Sequence, residues 1–207
     1  MSGKDGSTGP GAAPVSAPGR VSAGDALYAA LDLGTNSCRM LITTPEGEQF
    51  RIVDAFSKPV RLGTDIQRYG KLSRASINRA LQALQICASK LRQYQVAQGR
   101  FVATEACRRA ENGSAFLELV RARTGLGLEV IRPQEEARLA VVSCAPLIQT
   151  RSKQVLVVDI GGGSTELIWI DLSEVEPGLQ GKAVLGLKPR GNPDRNKPSP
   201  EGARIVD

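Results

Sequence analysis

The chain has 207 residues, with ordinary hydrophobic (41%) and charged (23%) fractions but only 4% aromatics, so its core must be built from Leu, Val, Ile and Ala. Histidine is absent, which excludes Ser–His–Asp and Cys–His catalysis and any His-ligated zinc. Of the net charge of +6, half lies in the last 26 residues (six Lys/Arg against three acids), and the +3 left on the body is too small for a nucleic-acid surface but suits a cleft for an anion.

Residues 1–25 are Gly, Pro, Ser and Ala with almost nothing to bury, and are expected to form a disordered tail. Strand-like segments follow at 27–33, 39–44 and 50–56, the last two joined by a turn at "PEGE", which predicts an antiparallel meander. Ser73 then opens a run carrying Ile77, Leu81, Leu84, Ala88 and Leu91, the spacing of one face of a long helix with Ser73 as its cap. A short strand at 100–104 leads to a second helix, capped by Ser114, burying Phe116, Leu117 and Val120 and stopping near Gly125. "LGLEVI" predicts another strand, and Pro133 starts a third helix that Pro146 ends. The order β-β-β-α-β-α-β-α implies a mixed sheet with right-handed crossovers.

A second round begins with a fully buried strand at 155–160 and a hairpin partner at 166–171, with a third strand expected at 183–187. The remainder is rich in Pro, Gly and charge and is expected to be unpacked. The four cysteines show no metal-type pairing and read as buried free thiols of a reducing compartment. No apolar run is long enough to span a bilayer and no signal-peptide core is present, so the expected location is the cytoplasm, without membrane or nucleic-acid partners.

The two rounds are related. Shifted by 127 positions, "ALDLGTNSCRMLI" lies over "VVDIGGGSTELIW", so that Asp32 meets Asp159, Gly34 meets Gly161 and Ser37 meets Ser164, while Arg39 faces Glu166. A strand–glycine turn–strand unit that recurs suggests two related lobes offering loops to one cleft. Glycines at Gly34, Gly161, Gly162 and Gly163 let backbone N–H groups approach an anion, and Thr35, Asn36, Ser37, Ser164 and Thr165 add neutral donors suited to phosphate oxygens. Asp32 and Asp159, at their strand ends, would repel phosphate unless a cation lay between. Magnesium meets that need, because it takes carboxylate and phosphate oxygens together, and Glu166 is placed across the hairpin to join Asp159 on the same ion.

"YAALDLGTNSCRMLI", "ATEACRRAENGSAFL", "EEARLA" and "VVDIGGGSTELIWID", in that order, resemble the successive signatures of the exopolyphosphatase and guanosine pentaphosphate phosphohydrolase family. That family belongs to the actin/Hsp70/sugar-kinase superfamily of two ribonuclease-H-like lobes. The resemblance implies an α/β fold with a first ribonuclease-H-like lobe over 26–150 and the start of a second over 151–187, between the tails that composition predicts at 1–25 and 188–207. It implies a magnesium-dependent hydrolase that releases terminal phosphate from inorganic polyphosphate or guanosine pentaphosphate, and it leaves room for a homodimer. Glu136 would be the general base, with Glu135 the near alternative, and its place in the first turn of a helix suits a carboxylate. Arg108 would pair with substrate phosphate, whereas Arg109 does not match the family pattern and is expected at the surface.

After Asp171 the resemblance implies a continuing second lobe, where this sequence turns low in complexity. The second hairpin is therefore expected to lack a sheet of its own and to leave apolar faces at 155–160 and 167–170 partly exposed. The alternative to catalysis is a non-catalytic remnant that at most binds polyphosphate or nucleotide.

Overall fold

The computed structural model describes residues 26–47, 49–149, 151–188 and 203–206. The chain begins with β1 (Tyr28–Leu33), β2 (Ser37–Glu46) and β3 (Gln49–Pro59), an antiparallel meander as the alternation of apolar residues predicts. A short α1 (Ile66–Tyr69) precedes the long α2 (Arg74–Gln93), then β4 (Gln98–Ala103), a short α3 (Glu105–Arg109), α4 (Gly113–Thr124) and β5 (Glu129–Val130). The five strands form one sheet in the order β3-β2-β1-β4-β5, with β4 and β5 parallel to β1. That order and sense make the first unit a ribonuclease-H-like lobe.

Within β1 and β2 every second residue (Leu31, Leu33, Cys38, Met40, Ile42) is buried on one face, where α2 and α4 cover it. Ser73 caps α2 as expected, accepting from the Ser76 amide at 3.3 Å. The stripe of α2 that lies deepest differs from the expected one: Ser76, Ala80, Ala83, Leu84, Cys87 and Ala88 are buried, while Ile77, Leu81 and Leu91 flank them half-buried. Small side chains let the helix approach the sheet closely, a pattern that counting large apolar residues overlooks. In α4 the cap position is Asn112, not Ser114, which falls inside the first turn. The Asn112 side chain is committed elsewhere, accepting from the Leu72 amide at 2.8 Å and donating to the Leu72 carbonyl at 3.0 Å. Gly125 ends α4 at φ 77°, a left-handed conformation that glycine adopts without a β-carbon clash.

Pro133 opens α5 (Pro133–Ser143), followed by a 3-10 turn at Ala145–Leu147, then β6 (Gln154–Ile160) and β7 (Thr165–Asp171). The strand expected at 183–187 is instead part of a helix, α6 (Gln180–Leu185). Ala183 and Val184 are adjacent and both fully buried, which a helix flanked by α5 and the 3-10 turn accommodates and a two-faced strand at this place does not. The expectation of an unpacked C-terminal tail is corrected at one point, where Arg204–Val206 form β8 antiparallel to β7. The rest of that segment beyond 188, and the N-terminal tail at 1–25, lie outside the described residues.

β6, β7 and β8 make a second, three-stranded sheet. Contrary to expectation, the hairpin therefore has a sheet to belong to. Val157, Ile168 and Ile170 bury one of its faces against Val141, Val175, Ala183 and Val184, and the apolar side of α5 belongs to this second core. The other face is uncovered, as expected for the hairpin, and this corrects the reading of 155–160 as a fully buried strand: Leu156, Val158, Ile160, Leu167 and Trp169 are between 43% and 77% exposed. Three of the cysteines (Cys38, Cys87, Cys107) are buried free thiols, and Cys144 is half-buried. Burial pushes the Cys107 thiol up to about 12, so it stays protonated at neutral pH. No helix among the described residues is long and apolar enough to cross a membrane.

Candidate active site

Both glycine turns have the same internal geometry. The amide of Gly34 donates to the carbonyl of Ser37 at 2.9 Å, and the amide of Gly161 donates to that of Ser164 at 2.9 Å. The 127-residue repeat is thus a repeat in space. It also changes the expected division of labour, because the amides of Gly34 and Gly161 close their own loops and are not free for a ligand. Among the described residues, the amides of Thr35, Asn36, Gly162 and Gly163 donate to no protein group, and these four make the available cradle. Ser37 and Ser164 close the loops through their carbonyls.

The two loops press together. A β-carbon added to Gly162 would come within 2.8 Å of Asn36 Cβ and 3.2 Å of the Asn36 amide, and one added to Gly163 would overlap the Glu105 carboxylate. Glycine at 162, which faces the Asn36 backbone, is a condition of the close approach. Thr35, Asn36, Gly162 and Gly163 line a cavity of about 240 Å³, and a neighbouring cavity of about 480 Å³ lies between the first sheet and α5, reached by Asp32, Arg39, Glu136 and Asp159.

The second cavity brings three acids, Asp32, Glu136 and Asp159, together with Arg39 and Arg100. Asp32 Oδ1 is buried without a hydrogen-bond partner. Burial raises the Asp32 carboxyl above the usual carboxylate range, and Glu136 and Asp159 push it further while Arg39, its partner across the β1–β2 pair, pulls it down. Asp159 and Glu166 stand directly opposite each other in the β6–β7 register, both half-buried. Among the described residues no three carboxylate or thiol side chains converge into a closed metal cage. A cation bound here would have to complete its shell with phosphate oxygens and water, which is the habit of magnesium, and Asp159 and Glu166, opposed across the hairpin, are the pair that could offer it carboxylate oxygens.

The two adjacent glutamates of α5 are set apart by their partners. Glu135 is chelated by Arg138 Nε at 2.8 Å and Nη2 at 2.9 Å, and receives Arg100 Nη1 at 3.0 Å. Arg138 chiefly, and Arg100 after it, hold its carboxyl below the usual range against the opposing effect of burial. A carboxylate so engaged is a poor proton acceptor. Glu136 instead faces the cavity and meets Arg108 Nη1 at 2.8 Å, the same nitrogen that donates to the Ile131 carbonyl at 2.8 Å. Arg109, expected at the surface, is about half exposed and also lines the glycine-loop cavity, where it meets Glu105 at 3.0 Å. Reasoning from sequence missed the convergence of Asp32 with Glu136 and the place of Glu105 under Gly163. The i,i+4 spacing of Glu105 and Arg109 was the available hint of that pair.

A mixed five-stranded sheet continued into a second sheet, with matching glycine turns meeting between them, defines the actin-like ATPase class of fold. The chain belongs to the Ppx/GppA phosphatase family, whose model matches residues 41–178. It is similar to the Aquifex aeolicus Ppx/GppA family member, at 34% identity and TM-score 0.62 over 70% of this chain and 47% of that one. It is also similar to an exopolyphosphatase-like protein (31%, TM-score 0.67, 75% and 48% of the two chains) and to an exopolyphosphatase from Cytophaga hutchinsonii (26%, TM-score 0.65, 69% and 46%). The chain spans about half the length of the structures it matches.

Proposed function

We propose that this chain carries the catalytic centre of a hydrolase that releases the terminal phosphate of inorganic polyphosphate or guanosine pentaphosphate. The observation that carries the reading is the meeting of two identically closed glycine loops at one cavity, lined by Thr35, Asn36, Gly162 and Gly163, with Asp32, Glu136 and Asp159 lining the neighbouring one. In this reading Thr35, Asn36, Gly162 and Gly163 hold phosphate oxygens. Arg108 exchanges its bond to Glu136 for one to the phosphoryl group, and the released Glu136 takes a proton from the attacking water. A magnesium ion on Asp159 and Glu166 would neutralise phosphate charge and let the oxyanions approach the acids.

The test is phosphate release from long-chain polyphosphate, and separately from guanosine pentaphosphate, with magnesium present. Release that is abolished in Glu136→Gln and kept in Glu135→Gln supports the reading. No release by the unaltered chain from either substrate would sink it. A second reading, anion binding without turnover, draws on the uncovered face of the β6–β7 hairpin and on the half-length match to the related structures. It predicts binding of the same anions with no phosphate released.

A further inference from the structure

Arg61 lies just beyond β3 with φ at 47°, in the left-handed region that glycine enters freely and a β-carbon resists. Its backbone is fixed on every side. The amides of Val60 and Arg61 donate to the Asn36 carbonyl at 2.8 and 2.9 Å, and the amide of Gly63 donates to the Thr35 carbonyl at 3.0 Å. The Arg61 carbonyl accepts from Thr64 Oγ1 at 2.9 Å and from Arg79 Nη2 at 3.2 Å. The segment is therefore clamped to the first glycine loop, and it keeps a long cationic side chain where glycine would sit with less strain. Strain maintained by so many bonds marks a side chain with a purpose.

Arg61 is among the residues lining the cavity of about 240 Å³, together with Thr35, Asn36, Gly162 and Gly163. Among the described residues no carboxylate pairs with it. The single acid lining the cavity, Glu105, is already held by Arg109 through Oε1, while its buried Oε2 has no hydrogen-bond partner. Glu105 and Arg109 offset each other, which leaves Arg61 as the uncompensated cation beside four free amides.

We propose that Arg61 is a specificity residue for condensed phosphate chains, its guanidinium receiving the phosphate group linked to the one the glycine loops hold. The inference rests on the reading that those loops bind phosphate, and it adds which residue measures the length of the ligand. A guanidinium suits this task because it offers several donors to phosphate oxygens at once.

The test is calorimetric titration of the full chain with orthophosphate and with tripolyphosphate, in the presence of magnesium. The unaltered chain should prefer tripolyphosphate. Arg61→Gly and Arg61→Gln should lose about tenfold in tripolyphosphate affinity and less than about twofold for orthophosphate, Arg61→Lys falling between. Arg61→Gly should melt no lower than the unaltered chain, since it relieves the backbone, and Arg61→Gln serves as the control that keeps the β-carbon. Unchanged tripolyphosphate affinity in both variants, or an equal loss for both anions, overturns the proposal. Failure of the unaltered chain to bind either anion overturns the reading of the glycine loops as well, so the two failures are distinguishable.

Discussion

Arg108 and Glu136 form a half-buried ion pair at 2.8 Å in which the arginine is anchored by a second bond to the Ile131 carbonyl. The proposed base is thus held by the residue proposed to bind its substrate. In the proposed mechanism phosphate competes with Glu136 for Arg108, and success in that competition frees Glu136. Glu136→Gln should lower kcat for phosphate release by about 10²–10⁴-fold with little change in KM. Arg108→Gln should raise KM and lower kcat together. Steady-state rates on polyphosphate check both, and a Glu136→Gln enzyme at full rate would contradict the assignment.

Asp32→Asn should raise stability. Folding raises the Asp32 pKa, so its protonated form is favoured in the native state and its ionised form at neutral pH works against folding. A neutral amide of the same shape removes that opposition. The expected result is a melting temperature at pH 7 a few degrees above the unaltered chain, with the difference vanishing as pH falls and Asp32 becomes protonated. Calorimetric scans across pH 4–8 check the sign.

Glu135 behaves in the opposite sense. Its folded pKa is depressed by Arg138 and Arg100, so its contribution is fully present above its ordinary value of 4.5 and is lost as pH falls below that through the folded value. Glu135→Gln should lower the melting temperature at pH 7 and flatten its acid dependence below pH 4.5. Thermal scans at closely spaced pH values in that range measure this, and an acid limb unchanged from the unaltered chain would count against it.

Gly162→Ala should separate the two loops. Its β-carbon meets Asn36 at both Cβ and the backbone amide, and neither is the flexible end of a side chain. Overpacking of this kind costs about 1–3 kcal/mol. Affinity for orthophosphate and tripolyphosphate should fall together, unlike the length-selective loss expected at Arg61, and titration of both anions distinguishes the two effects.

Ile160→Lys and Leu167→Lys, at 77% and 70% exposure on the uncovered hairpin face, should leave the melting temperature within about 1 °C and raise the concentration at which the chain stays monodisperse. Light scattering over a concentration series checks this.

The sequence carried the parts of this architecture that depend on local pattern. Apolar strand-like runs marked β1, β2, β6 and β7, and the 127-residue repeat foretold two loops, each of which proves to be closed by the same kind of hydrogen bond. What it did not carry was whatever depends on distant neighbours. Helix α6 was hidden because Ala183, Val184 and Leu187 form a short apolar run whose period is set by α5 and the 3-10 turn against it. The buried stripe of α2 was hidden because alanine, serine and cysteine carry little hydrophobic signal. At the site, "EEAR" could not say which glutamate was available. The answer came from Arg100 and Arg138, 35 residues before and three residues after Glu135, which together take it out of play. Arg61 had no local signal, since its left-handed backbone is imposed by carbonyls of the first glycine loop.

Helix α5 has a divided allegiance. Its first turn presents Glu136 to Arg108, which belongs to the first unit, while Ala137, Ala140 and Val141 are packed into the core of the second. The proposed base is thus mounted on the core of one unit and tethered by an ion pair to the other, so in the proposed mechanism its release is a matter of one hydrogen bond between them.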